Sequence, residues 1–224
     1  MNEWLFSIHL VSLLSFMMLC LFLGKEALFL FVGISALLAN LFVVKQITLF
    51  SLTVTASDVF VIGAILATNL IQEYYGKEEA KKALYFSLLF LGVFLVLSKV
   101  HLGYIPAAED QTHHSFVQIF SLTPRLVLSS IAVFFLVQRI DVLFFGFLQK
   151  VFFYRFLALR VFFSLAVSQV LDTILFSYFA LYGYVAAFSH VVGMSLLVKL
   201  LIISLSSGFL SLIKRWLPLE VYGR

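Results

Sequence analysis

Seven apolar runs follow one another along the chain, separated by short polar turns, and each is long enough to cross a hydrocarbon core of about 30 Å. Lipid offers no hydrogen bonds to a backbone, so such runs must satisfy their own N–H and C=O groups. The runs are continuous and do not alternate, which selects helices and excludes a β-barrel. Composition agrees: 63% of the 224 residues are hydrophobic, 27 are Phe, and only 12% are charged. The reading is therefore an all-α membrane protein. Its seven transmembrane helices lie at 4–23, 27–44, 57–75, 83–100, 122–148, 155–182 and 186–213, with no room for a soluble domain.

The net charge of +4 does not imply nucleic-acid binding, because the basic residues are dispersed over span ends. Lys25, Lys77, Lys81, Lys82, Lys150, Arg155, Lys214 and Arg215 all fall on one side if there are seven spans; six would split them. The other side holds Glu3 and the loop with Glu109, Asp110, His113 and His114. The positive-inside rule then puts the N-terminus outside and the C-terminus in the cytoplasm. The first run has no basic stretch before it and no small-x-small cleavage pattern after it, so it reads as a retained span. Cys20 is the only cysteine and lies in an apolar run, which leaves no pair for a disulfide or a CxxC motif. Segment 45–55 alternates and is rich in β-branched residues; it reads as a short hairpin or extended loop on the outer face, and as part of a lid. An ordinary surface hairpin is the alternative.

Polar groups inside these runs carry the functional signal. A carboxylate near the bilayer centre costs roughly 2.5–3.5 kcal/mol on insertion scales, so each marks a candidate site. Asn69 and Glu73 share a helix face, with Gln72 beside them and Gly76 closing the helix. Arg160, Ser164, Ser168 and Asp172 recur every four residues along the sixth helix, flanked by Gln169 and Thr173. The fifth helix carries Arg125, Ser129, Ser130, Gln138 and Asp141; the second carries Asn40 near Lys45. The seventh carries His190 and, well inside, Lys199, a buried cation for which Asp172 or Glu73 would be the partner.

The bland alternatives are a Glu73–Lys77 pair at the interface and a structural Arg160–Asp172 link. His190 reads as an interfacial histidine, and His113 and His114 as solvated loop residues, so no metal site is expected. Amide and carboxylate groups make directional, paired hydrogen bonds that suit a flat heterocycle with several donors and acceptors, and aromatic residues can stack on such a ring.

In order along the chain stand Asn40 and Lys45; Asn69, Glu73, Tyr75 and Gly76; Arg125, Ser130, Gln138 and Asp141; Ser168, Asp172 and Thr173; and a late Lys199. This order resembles the queuosine precursor transporter family, also known as a vitamin uptake transporter family, over residues 26–213. It departs at Asn69, where that family usually has Asp.

The resemblance implies import of a 7-deazaguanine base across a bacterial inner membrane, with no cofactor. It also implies a six-helix core at 26–215, similar to the substrate-binding subunits of energy-coupling-factor transporters. Residues 1–25 would then be an extra N-terminal helix and 216–224 a tail. The expected base-binding set is Asn40, Lys45, Asn69, Gln72, Glu73, Gln138, Gln169, Asp172 and Lys199, converging on one dry hollow. Arg125, Asp141, Arg160 and Gly76 are expected to be structural or gating. The partners expected are a purine-like small molecule, the bilayer and, from the resemblance alone, a homodimer; no nucleic acid is expected.

A self-sufficient carrier and a binding subunit served by a separate ATPase both remain open. An intramembrane enzyme is disfavoured: Gly193-Met194-Ser195 continues as Leu196, and no GxGD or HExxH occurs.

Overall fold

The structure, a computed structural model, describes residues 1–43, 45–50, 52–55, 57–120, 124–181 and 188–213, with backbone only at 52, 53, 55, 124–127, 180, 181, 188–191, 194 and 210–213. The described residues form α1 (Asn2–Leu23), α2 (Lys25–Phe42), β1 (Gln46–Leu49), β2 (Leu52–Thr55), α3 (Asp58–Tyr75), α4 (Lys77–Leu102), α5 (His113–Phe120), α6 (Pro124–Val151), α7 (Leu157–Phe176) and α8 (Phe188–Ile213). A π-helical turn, Ser177–Leu181, continues α7.

Among the described residues five helices are long and apolar enough to cross a membrane: α1, α2, α4, α6 over Leu128–Val151, and α7 with its extension to Phe179. From α8 comes the apolar stretch Ser195–Phe209. The multi-pass membrane architecture thus follows from length and hydropathy. α3 falls outside this group because Asp58, Asn69, Gln72 and Glu73 interrupt it. It does not need a lipid-compatible surface: it touches every other long helix, and 13 of its 18 residues are buried. It is the axis of the bundle.

Small residues permit that central position, as in other membrane bundles. A Cβ added to Gly63 of α3 would come within 2.6 Å of Leu13 Cδ2 on α1, and one on Gly146 of α6 within 2.9 Å of Gln72 Nε2. Leu10, Leu13, Leu14, Met17, Met18 and Leu21 of α1 are buried in the common core.

Chain direction alternates from helix to helix, and the bundle has two ends. At one end lies the β-hairpin, paired antiparallel with Gln46 opposite Thr55 and Leu49 opposite Leu52. Asn2 Nδ2 donates to the Thr48 carbonyl (2.8 Å) and the Phe50 N–H to Glu3 Oε1 (3.2 Å), fastening the hairpin to α1. The alternating pattern of 45–55 was therefore legible as strand, with Leu49 and Val54 buried beneath it.

At the other end Gly24 and Gly76 take φ of 112° and 93° in single-residue turns, a left-handed conformation that costs other residues about 1–2 kcal/mol. Lys25, Lys77, Lys81, Lys82, Lys150 and Arg155 gather at this end. Lys25 pairs with Glu79 (3.1 Å), Lys81 with Glu78 (2.7 Å) and Lys82 with Glu79 (2.5 Å).

Two elements differ from the sequence reading. The fourth helix begins at Lys77, not 83, because i,i+3 ion pairs carry its charged first turn. Residues His113–Phe120, not assigned to any element, form the short helix α5, packed on α4 through Phe94 and Phe120.

Candidate functional site

The polar residues of α3, α6, α7 and α8 fall into three tiers stacked along the bundle. Their order follows from α7, on which Arg160 faces Glu73, Ser164 and Ser168 face Asp141, and Asp172 faces Lys199. Twelve residues separate Arg160 from Asp172, about 18 Å of helix.

The first tier lies at the glycine-turn end. Arg160, with no exposed side-chain surface, grips Glu73 in a bidentate pair, Nη1 to Oε2 at 2.6 Å and Nη2 to Oε1 at 2.7 Å. Gln149 Nε2 also donates to Glu73 Oε2 (2.8 Å), and Gln72 Nε2 donates to Gln149 Oε1 (3.4 Å). Arg160 Nε donates to the Arg155 carbonyl (2.9 Å) and Nη2 to that of Tyr154 (3.3 Å). The guanidinium lies 5.5 Å from the centre of the Phe145 ring. The α6–α7 turn holds Phe153, Tyr154 and Phe156 at φ of 47–58°. Such strain persists only where the surroundings impose it, and the carbonyl contacts to Arg160 do so here.

The third tier lies at the hairpin end. Lys199 of α8 donates to Asp172 Oδ2 of α7 at 2.8 Å and lies 3.5 Å from Asp58 Oδ1 of α3. Two carboxylates thus share one ammonium. Fifteen residues, about 22 Å, separate Asp58 from Glu73 along α3.

Between them is a tier of buried polar groups with unused hydrogen-bonding capacity. Asp141 Oδ1 accepts from the Ser164 (2.6 Å) and Ser168 (2.7 Å) hydroxyls, while its Oδ2 has no partner. Among the described residues, the side-chain amides of Asn69, Gln138 and Gln169 are buried without a hydrogen-bond partner, as is the hydroxyl of Thr173, next to Asp172 at the edge of this tier. They come from α3, α6 and α7, three helices in mutual contact. Burying an unpaired amide or hydroxyl costs about 1–3 kcal/mol on mutational scales.

The structure divides the set that the sequence placed in one hollow. Glu73 and Asp172 lie at opposite ends and do not converge. Glu73 pairs with Arg160, neither with Lys77 nor with substrate-ready space, and Arg160 does not reach Asp172. The four-residue stripe on α7 faces the bundle as expected, but it is shared among α3 at Arg160, α6 at Ser164 and Ser168, and α8 at Asp172.

Asn40 is satisfied locally: its Nδ2 donates to the Ala36 carbonyl (2.9 Å) and its Oδ1 accepts from Ser130 (2.8 Å). Lys45 is exposed beside the hairpin, apart from the buried tier. Gln72 belongs with Glu73, although its Oε1 is unpaired. Lys199 does pair with Asp172, and Gly76 does close α3. The side chains of Arg125 and His190 lie outside the described residues.

Asp58 and Gln149 were missed. The sequence reading assigns Asp58 no role; its spacing of eleven from Asn69, about three turns, places both on one face of α3 and could have revealed it. Gln149, next to Lys150 at a helix end, gave no such signal.

With this geometry in view, comparison with known proteins is decisive. Residues 55–213 match the family model described as "Putative vitamin uptake transporter". The chain belongs to this family. It is also 31% identical, over 96% of its length and 95% of the relative's, to a protein of Bacillus subtilis named "Probable queuosine precursor transporter". No solved structure matches it. The family match spans all three tiers and excludes α1, α2 and β1.

Proposed function

We propose that this protein imports a queuosine precursor, a 7-deazaguanine base, and that the middle tier holds it. The observation that supports this reading is the unpaired set Asn69, Gln138, Asp141 Oδ2, Gln169 and Thr173, buried in a chain of a transporter family. A deazaguanine base presents a ring N–H next to an exocyclic amino group, two donors that match a carboxylate, and a carbonyl and ring nitrogen that match amide donors. Asp141 supplies the free carboxylate oxygen. Asn69, Gln138 and Gln169 each supply an acceptor and donors, so they adapt to the remaining edges.

Binding then replaces unpaired buried groups with hydrogen bonds, which gives selectivity against analogues that lack the amino group. Glu73–Arg160 closes the path at one end, and Lys199 with its two carboxylates bounds it at the other. The hairpin covers the second end. Positive residues cluster at the glycine-turn end, so that end faces the cytoplasm and the hairpin faces outside.

Cells unable to make queuosine, but able to use the base, test the reading when given this chain alone. Uptake of labelled queuine or a pre-queuosine base supports a self-sufficient importer. Uptake only when a partner ATPase is supplied assigns the chain to the binding-subunit class. No uptake and no binding by the purified protein defeats the proposal.

A further inference from the structure

The hairpin-end tier is charge-unbalanced, and its role is separate from holding the base. Among the described residues, the ion pairs of Asp58 and Asp172 all go to Lys199. The side chains are 12%, 16% and 5% exposed for Asp58, Asp172 and Lys199 respectively. Among the described side chains, the other groups at this end do not correct the imbalance. His9 of α1 sits against Phe60 of α3 with ring centroids 4.7 Å apart, Tyr178 of the π-turn is exposed, and Lys45 at the hairpin is exposed. From α6, Asp141 is also acidic and already bound to two serines, and Arg139 is exposed over the Phe135 ring.

An uncompensated negative charge inside a bundle is costly, and two carboxylates on one site cannot both stay ionised cheaply. We infer that Asp58 and Asp172 together form a proton-binding site, which takes one proton from the hairpin side and couples its movement to that of the base. The proton belongs to the pair and not to either residue alone. When one carboxylate is neutral, Lys199 is freed to close on the other, so protonation changes the link between α3, α7 and α8.

A metal cation is the weaker occupant. Among the described residues no three His, Cys, Asp or Glu are grouped to hold one, and Lys199 already occupies the space between the carboxylates. Glu73 is not a second such site, since Arg160 balances it and stays charged at any working pH.

This inference rests on the transport reading, and one experiment separates the two. Purified protein is reconstituted in vesicles with labelled queuine, at zero membrane potential. Base-for-base exchange without any gradient tests transport itself. Accumulation driven by an acid exterior tests coupling; one pH unit yields about tenfold accumulation if one proton accompanies each base.

The expected result is accumulation by the wild type, and a level that does no more than equilibrate in Asp58→Asn with exchange retained. Asp58→Glu should restore accumulation. Accumulation by Asp58→Asn equal to wild type overturns the inference, as does wild-type indifference to the pH gradient or dependence on a sodium gradient instead. Absence of exchange in the wild type overturns the transport reading, and coupling with it.

Discussion

The two ionic tiers of this bundle use the same residue types to opposite effect. At the glycine-turn end one carboxylate meets one guanidinium, and Arg160 donates four hydrogen bonds, two to Glu73 and two to the Arg155 and Tyr154 carbonyls, beside the Phe145 ring. At the hairpin end two carboxylates meet one lysine, and among the described residues no other cation pairs with them. A planar, permanently charged group suits a rigid lock; a compact ammonium shared between two acids suits an element that changes partner. The first tier therefore reads as architecture and the second as a moving part, with the unpaired amide tier between them.

Four substitutions test that contrast, taken from the largest effect down. Arg160→Met leaves Glu73 buried without its cation, and breaking such a pair costs about 3–5 kcal/mol. Thermal unfolding in detergent should show a large loss, with release of the strained 153–156 turn. The double variant Arg160→Met, Glu73→Leu should recover much of that loss; a double variant as unstable as the sum of both singles would show that the pair is not the unit.

Asp141→Asn should weaken binding of the base at least tenfold (about 1.4 kcal/mol or more), while stability changes less than for Arg160→Met. Equal affinity would remove Asp141 from the site. Gly63→Ala should cost about 1–3 kcal/mol through overpacking against Leu13, read by the same unfolding assay. Ser130→Ala removes only the bond to Asn40 and should cost about 0.5–1.5 kcal/mol with uptake unchanged. A large loss of uptake there would return Asn40 to the binding set.

What the sequence made legible follows from periodicity. Continuous apolar runs specified helices, alternation over 45–55 specified the hairpin, and four-residue spacing on α7 specified a face turned to the protein. The sequence also asked for an acidic partner for Lys199 and offered Asp172 or Glu73; the fold selects Asp172.

Pairing across helices was not legible. Glu73 and Asp172 look equivalent in one dimension, each an acid in an apolar run, yet α7 runs antiparallel to α3, which puts the two at opposite ends. The partner of Glu73 sits 87 positions away on α7, and nothing in local spacing selects it over Lys77. Asp58 stayed hidden because a helix-start acid is ordinary, favoured by the helix dipole. Asp141 was read as structural, and only its unused oxygen in the folded chain moves it toward the ligand.

The central claim, that the middle tier is left unpaired in order to hold the base, is tested most directly with Gln169→Leu. The substitution keeps the side chain's size and removes its unpaired amide. Binding of labelled queuine and thermal stability are measured on the same purified sample. The account predicts binding weakened by tenfold or more (about 1.4 kcal/mol or greater) together with unchanged or raised stability of the empty protein. Undiminished affinity, or a protein that loses stability as a core glutamine with satisfied partners would, contradicts it.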